Sequence, residues 1–276
     1  MALAAVVFSA LLAGDVRAAS LATELFVGKD SLETLTRGTY AGLRNPNYGR
    51  LTLLFNHDDH FHGIGVHSYV GAPPDDVSVQ RTNTNNRIPE GYSGVPPVVL
   101  APGDGLYAGK LVNRATEEEY TNTHIESVHR IPAAPEGLYD PSLFNSSNDR
   151  WSAPLDETTV ALQLVSITPG LNVGGETSLN LFEDGHNHVL GDGNSLSVPL
   201  FFWTEADAPV GAYAAEFRLI DLGLAGLDPS GTFHLDFQVV PLPAAAWLFA
   251  SAVLALGGLA GQKRLAERKA AGQPAS

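Results

Sequence analysis

Four histidines and two aspartates fall within eleven residues, in the run His57-Asp58-Asp59-His60-Phe61-His62-Gly63-Ile64-Gly65-Val66-His67. A second pair, His186 and His188, follows Glu183 and Asp184. On an extended strand, residues i and i+2 share one face, about 6.5–7 Å apart along the chain. Two imidazoles so placed can converge on one ion at about 2.0–2.1 Å each. His60 and His62 meet that condition, and so do His186 and His188 if their segment is extended. His57, Asp58 and Asp59, at the expected hairpin tip, offer a third donor. His67 has the wrong parity for the His60 face unless a bulge at Gly63 or Gly65 shifts the register. His124, His129 and His234 stand alone, and a lone surface histidine reads as a solvated side chain.

The chain has no cysteine, which removes thiolate metal sites and cysteine nucleophiles. A metal site must then be built from His, Asp and Glu, and the expected ligands are His57, Asp59, His60, His62, His67, His186 and His188. Zinc fits this donor set best, with copper and nickel left open. Calcium, which wants oxygen ligands, fits the cluster less well, and Asp192-Gly193-Asn194 is too short a match to an EF-hand to count.

The elements expected to carry these residues are strands. Short alternating runs separated by Gly, Pro, Asn and Asp clusters are the pattern of a sandwich or barrel. Over Gly231 to Val240, Phe233, Leu235, Phe237 and Val239 point one way and His234, Asp236 and Gln238 the other. Gly211 to Asp221 repeats this, with Tyr213, Phe217 and Leu219 toward the core. Thr158 to Thr168 and Ser195 to Thr204 are more uniformly apolar and read as central strands. Further strands are expected over Arg50 to Asn56, His60 to Val70, Leu106 to Val112, Thr123 to Ile131 and Thr177 to Glu183. Pro73 to Pro97 reads as an exposed loop. The expected fold is all-β, a two-sheet antiparallel β-sandwich, jelly-roll-like, spanning residues 19–239. Two subdomains joined near Pro132 to Pro141 are the alternative.

Both ends read as targeting segments. Leu3 to Ala13 is apolar and leads to the small-residue pattern Val16-Arg17-Ala18, so residues 1–18 are expected to be a signal peptide. No Lys or Arg precedes that run, which fits a natural start upstream of Met1. Ala244 to Gly261 carries no charge and reaches about 27 Å as a helix, near the thickness of a bilayer's hydrocarbon core. Lys263, Arg264, Arg268 and Lys269 then form a basic stop expected to stay cytoplasmic. The two ends hold five of the sixteen bases and two of the thirty acids, leaving the middle of the chain at a net charge of −17. Such a surface attracts cations and repels nucleic acid, so DNA and RNA drop out as partners.

The tail Val240-Pro241-Leu242-Pro243-Ala244-Ala245-Ala246-Trp247, with the apolar run and Lys263-Arg264 behind it, resembles a PEP-CTERM sorting signal in its VPLPAA variant. Leu242 stands where the acid of Pro-Glu-Pro would be. The resemblance implies export, anchoring, and processing by an exosortase at the membrane, often in bacteria that make exopolysaccharide. The middle of the chain resembles the PEP-CTERM proteins repressed by the zinc-uptake regulator Zur. The matching stretches are Asn45 to His57, Asp59 to Gly65, Thr82 to Pro89, Gly105 to Leu111, Leu143 to Ser147, Val165 to Val173 and Ala215 to Leu219. This second resemblance implies regulation by zinc starvation and zinc handling at the cell surface. It supplies no catalytic residues.

Three functions fit these observations. The leading one is an exported, surface-anchored protein that captures or buffers zinc when zinc is scarce, in one version passing it to an importer. The second is a structural or matrix protein that binds exopolysaccharide, with Tyr48, Tyr69 and Tyr92 available to stack on sugars. The third is a zinc hydrolase using Asp58, Asp59 or Glu183 as base. No His-Glu-x-x-His helix and no Gly-x-Ser-x-Gly elbow supports that third reading.

Overall fold

The computed structural model describes residues 22–241. The expected signal peptide at 1–18, the apolar helix at 244–261 and the basic stop lie outside the described residues. Among the described residues no helix is long and apolar enough to cross a membrane.

Alternation of apolar and polar residues on a sparse helical background leaves strands as the way to bury this chain's hydrophobic side chains. The described residues form seventeen strands. The first six are β1 (Leu25–Lys29), β2 (Leu51–Asn56), β3 (Phe61–Gly63), β4 (Ser68–Ala72), β5 (Asp76–Gln80) and β6 (Arg87–Ile88). Next come β7 (Val98–Val99), β8 (Ala101–Pro102), β9 (Lys110–Val112), β10 (His124–Ser127), β11 (Thr159–Ile167) and β12 (Asn172–Gly174). The last are β13 (Asn187–Asp192), β14 (Ser197–Pro199), β15 (Phe201–Glu205), β16 (Gly211–Asp221) and β17 (Phe233–Val239).

They assemble into a five-stranded sheet in the order β14-β10-β1-β2-β3 and a six-stranded one in the order β13-β11-β16-β17-β6, where β7 also pairs with β17. A four-stranded sheet, β12-β15-β9-β8, and the β4-β5 hairpin complete the set. The chain is thus β-rich as expected, but with four sheets, and β1 with β10, β17 with β6 and β17 with β7 run parallel.

One core joins the three larger sheets. Val27, Leu53 and Phe55 come from the five-stranded sheet, Leu162, Phe217, Phe233 and Phe237 from the six-stranded one, and Leu111, Val173 and Phe202 from the four-stranded one. These residues come from both sides of the 132–141 segment. A second cluster, including Phe26, Leu54, Phe61 and Trp151, covers the other face of β1 and β2. Those two strands are therefore buried on both faces, which is why Leu51–Asn56 shows no clean alternation.

Gly211–Asp221 and Phe233–Val239 pair in the expected parity, with Tyr213, Phe217, Leu219, Phe233, Leu235, Phe237 and Val239 all buried. Several expected strands break, each for a local reason. His60 to Val70 is divided because the N–H groups of Ile64 and Gly65 both donate to Leu53 O, and the chain then leaves β2. A Cβ on Gly65 would meet Phe233 at 3.1 Å and the Leu53 nitrogen at 3.3 Å, so this close crossing favours glycine. Leu106 to Val112 starts as a 3₁₀ turn, and Gly109 at φ 79° restarts the chain as β9. Ser195 to Thr204 splits at Leu200 between two sheets. Thr123 to Ile131 ends as a strand at Ser127, where a 3₁₀ turn over Val128–Ala133 begins. Thr177 to Glu183 forms no strand, because Ser178 Oγ donates to Asn180 O and Asn180 Oδ1 accepts from Phe182 N–H. Such local bonds compete with a ladder. The expected loop from Pro73 to Pro97 contains β5 and β6, and β1 lies in a stretch where no strand was expected.

Phe237 is 1% exposed and stacks on Phe202 at 4.5 Å, which fastens the six-stranded sheet to the four-stranded one. Replacing Phe237 by Ala should lower unfolding stability by about 3–5 kcal/mol, measured by urea denaturation. A loss below about 1 kcal/mol would show that the two sheets do not depend on this contact.

Candidate metal centre

The centre lies at the turn end of the β2-β3 hairpin. The ladder pairs Phe55 with His62 and Asn56 with Phe61, so Phe55, His57 and His62 share one face. A four-residue turn follows Asn56. Asn56 Oδ1 accepts from Asp58 N–H at 2.7 Å, His57 N–H donates to His60 O at 3.0 Å, and Asp58 takes φ 68°. The Asn56 side chain closes the turn around Asp58, and aspartate is among the residues that tolerate the left-handed region.

A third residue arrives from far along the chain. β6 pairs in parallel with β17 at the edge of the six-stranded sheet, and the chain then turns to place Glu90 over the hairpin. The turn is held by Ser93, whose N–H and Oγ both donate to Glu90 O. The Glu90 side chain is 0% exposed. Its Oε2 lies 3.0 Å from His57 Nε2 and its Oε1 is bonded to His62 Nδ1. Tyr120 O–H donates to Oε2 at 3.3 Å, and the Tyr120 ring stacks on Phe55 at 4.6 Å. Tyr92 Oη lies 2.9 Å from His62 Nδ1.

His57, His62 and Glu90 form a group that can hold a metal ion, since one donor atom from each lies within 4.8 Å of the others. Two donors on a tetrahedral ion at about 2.1 Å sit roughly 3.4 Å apart, close to the spacing between His57 Nε2 and Glu90 Oε2. The remaining nitrogen of His57, Nδ1, is 3.1 Å from Glu119 Oε1. Both His57 nitrogens thus face carboxylates, while a neutral imidazole has one N–H to give. A metal on Nε2 satisfies both, with Nδ1–H donating to Glu119 as ligating histidines usually do.

The charges follow from this packing. The bond to Glu90 raises His62 above its ordinary value, against the opposing effect of burial. Burial alone would raise Glu90, but its bonds to His62 and Tyr92 bring it below the usual carboxylate range. Burial and neighbouring carboxylates push the Tyr92 and Tyr120 phenols well up, so both stay protonated donors at neutral pH.

Beside His57 lies a cleft of about 450 Å³, lined among others by Glu24, Asp58, Glu117 and Glu119. Glu24 accepts from the N–H groups of Tyr120 and Asn122. Burial pushes its carboxyl up to about 7, those two bonds oppose the shift, and Glu119 and Asp58 add to it.

The expected site residues divide accordingly. His57 and His62 come together. His60 does not join them, because it precedes β3 at the hairpin tip. Its ring is 57% exposed, stacks on His57 at 5.3 Å and gives Nδ1 to Asp59 at 2.6 Å. Asp59 is exposed, and its carboxylate bonds to no side chain but His60 among the described residues. His67 lies in another cleft, beside Arg50 and Arg81, where burial and the Arg50 charge hold it below its ordinary value. His186 and His188 sit at β13, the edge of the six-stranded sheet opposite β6, and His188 packs against Phe182 at 6.1 Å. His124 and His129 bond to Ser197 and Ala153 O, and His234 lies 3.9 Å from Glu216.

Glu90 and Glu119 were not anticipated. Glu90 stands in a stretch rich in Asn and Pro that reads as exposed, and Glu119 ends the ordinary-looking acidic run Glu117-Glu118-Glu119. The one signal for Glu90 is its position directly after Ile88-Pro89, an apolar pair amid polar residues.

A carboxyl whose folded value lies above its unfolded one favours the folded state below about pH 4.5, and that advantage is lost as pH rises through about 7. A carbon-detected NMR titration of Glu24 in the metal-free protein should therefore find a midpoint near 7. A midpoint in the ordinary carboxylate range would mean that water reaches Glu24 freely.

Comparison with known proteins finds no matching family, no matching curated protein and no matching solved structure.

Proposed function

We propose that this chain is an exported, surface-anchored zinc-binding protein that captures or buffers the ion when zinc is limiting. The observation that carries the reading is the convergence of His57, His62 and Glu90, with Glu119 on the outer nitrogen of His57. Two imidazoles and a carboxylate suit zinc among the common divalent ions. Three protein ligands leave one tetrahedral position to water or to a receiving ligand, which suits an ion that must be released again. The surplus of acids, thirty against sixteen bases, raises the cation concentration at the surface.

The cellular setting in this proposal is drawn from the sequence. A signal peptide at 1–18 carries the chain out, and the helix at 244–261 with its basic stop holds it for an exosortase. The sheets over 19–239 form a jelly-roll-like sandwich that presents the centre at the cell surface, where an importer is the natural recipient of the zinc.

Calorimetry with chelator-stripped protein at neutral pH tests the centre. Zinc binding should be lost in His57→Ala/His62→Ala and should weaken about 10–100-fold in Glu119→Gln, which removes the charge orienting His57. His60→Ala and His186→Ala/His188→Ala should bind as the unaltered protein does. Unchanged affinity in the His57/His62 double variant would discard the centre.

A further inference from the structure

On a chain with a net charge of −14, one cleft runs against the trend. A cavity of about 520 Å³ between the 44–50 loop, the start of β4 and the end of β5 is lined by Arg44, Arg50, Arg81, His67, Tyr48 and Tyr69. Asp228 is the single acid in the lining. It pairs with Arg50 at 3.3 Å, and Arg50 also donates to the carbonyls of Pro46 and Pro229, so that guanidinium is fixed in the wall. Arg44 and Arg81 have no side-chain partner among the described residues, and both are exposed. Two free guanidinium groups at one cleft are suited to paired hydrogen bonds with a carboxylate.

The walls are fixed in advance. Asn47 Nδ2 donates to His67 O at 2.9 Å and Asn47 Oδ1 accepts from His67 N–H at 2.6 Å, which ties the 44–50 loop to the β4 side. Asn45 donates to the buried carboxylate of Asp30, which Arg150 clasps in turn. Tyr69 O–H donates to Arg44 O at 2.8 Å, and Tyr40 backs the Tyr69 ring at 5.3 Å. Tyr48 is 41% exposed at the rim. Tyr69 is thus held in the wall, and the exposed Tyr48 ring at the rim offers a face on which a ring-shaped ligand can lie.

We propose that this cleft binds an acidic sugar, a uronate unit whose carboxylate meets Arg44 and Arg81 while its ring lies against Tyr48. Carboxylates spaced one to a ring bring less charge against the acidic surface around a single basic cleft than the more densely charged polyphosphate chain. The inference is independent of the zinc centre and shares no residue with it.

Calorimetry of the full chain with an oligogalacturonate, in the presence of chelator, tests it. The acidic oligomer should bind, and its methyl-esterified, uncharged counterpart should not. Arg44→Ala/Arg81→Ala and Tyr48→Ala should each weaken binding roughly tenfold or more. The arginine variant should keep zinc affinity and thermal stability unchanged, since neither guanidinium supports the fold. No binding of the acidic oligomer, equal binding of its ester, or undiminished binding by the arginine variant would overturn the proposal. So would inorganic phosphate competing at the same concentration as the oligomer, since the ring would then add nothing.

Discussion

A carboxylate with no exposed side-chain surface has to find its charge balance inside the protein, and Glu90 is such a group. Left alone, it would cost several kcal/mol in lost hydration. His57, His62, Tyr92 and Tyr120 supply the compensation, and they come from three different parts of the fold. His57 and His62 belong to the β2-β3 hairpin, Tyr92 to the turn after β6, and Tyr120 to the segment entering β10. One buried negative charge thus collects side chains from three separate stretches of chain. It also ties the edge of the six-stranded sheet to the end of the five-stranded one. A divalent cation would answer the same charge more fully than two imidazoles sharing protons, which is the physical case for a metal at this point.

The hairpin that presents the histidines is held on both sides. β2 is buried along its whole length, with Leu53 and Phe55 in the main core and Leu54 in the second cluster against Phe26 and Trp151. A strand gripped on both faces cannot slip by one residue without turning every side chain the wrong way. That locks the pairing of Phe55 with His62, and hence the meeting of His57 with His62. The tip beyond Asn56 has no such grip, and apart from His57, held by Glu90 and Glu119, its residues are free to face water. His60 and Asp59 do so, bonded to one another.

This contrast also sets what could be read from the residues alone. Strands β16 and β17 were legible because one face meets the core and the other does not, so alternation records the fold directly. The same parity argument brought His62 into the site but misjudged His60. The i, i+2 rule holds along a strand, and β3 begins only at Phe61. Glu90 and Glu119 were illegible for a different reason. Their roles depend on contacts across 33 and 62 residues of sequence, and nothing local distinguishes a carboxylate that will be buried from one that will be solvated.

The crossing between β3 and β4 joins these features. Within the nine residues from Phe61 to Tyr69 the chain contributes His62 to the candidate metal centre and His67 and Tyr69 to the basic cleft. Between them Gly65 passes so close to Phe233 and Leu53 that a side chain would press both neighbours to give way. The two regions carry opposite charge, with Glu24, Asp58, Glu117 and Glu119 around His57 and three arginines around His67. At physiological salt, charges at the two clefts are screened from one another beyond about 8 Å. A density of histidines in the sequence therefore need not mean one site. Here a glycine crossing separates His57 and His62, which face a buried acid, from His67, which faces arginines, and only the first two have the surroundings a cation requires.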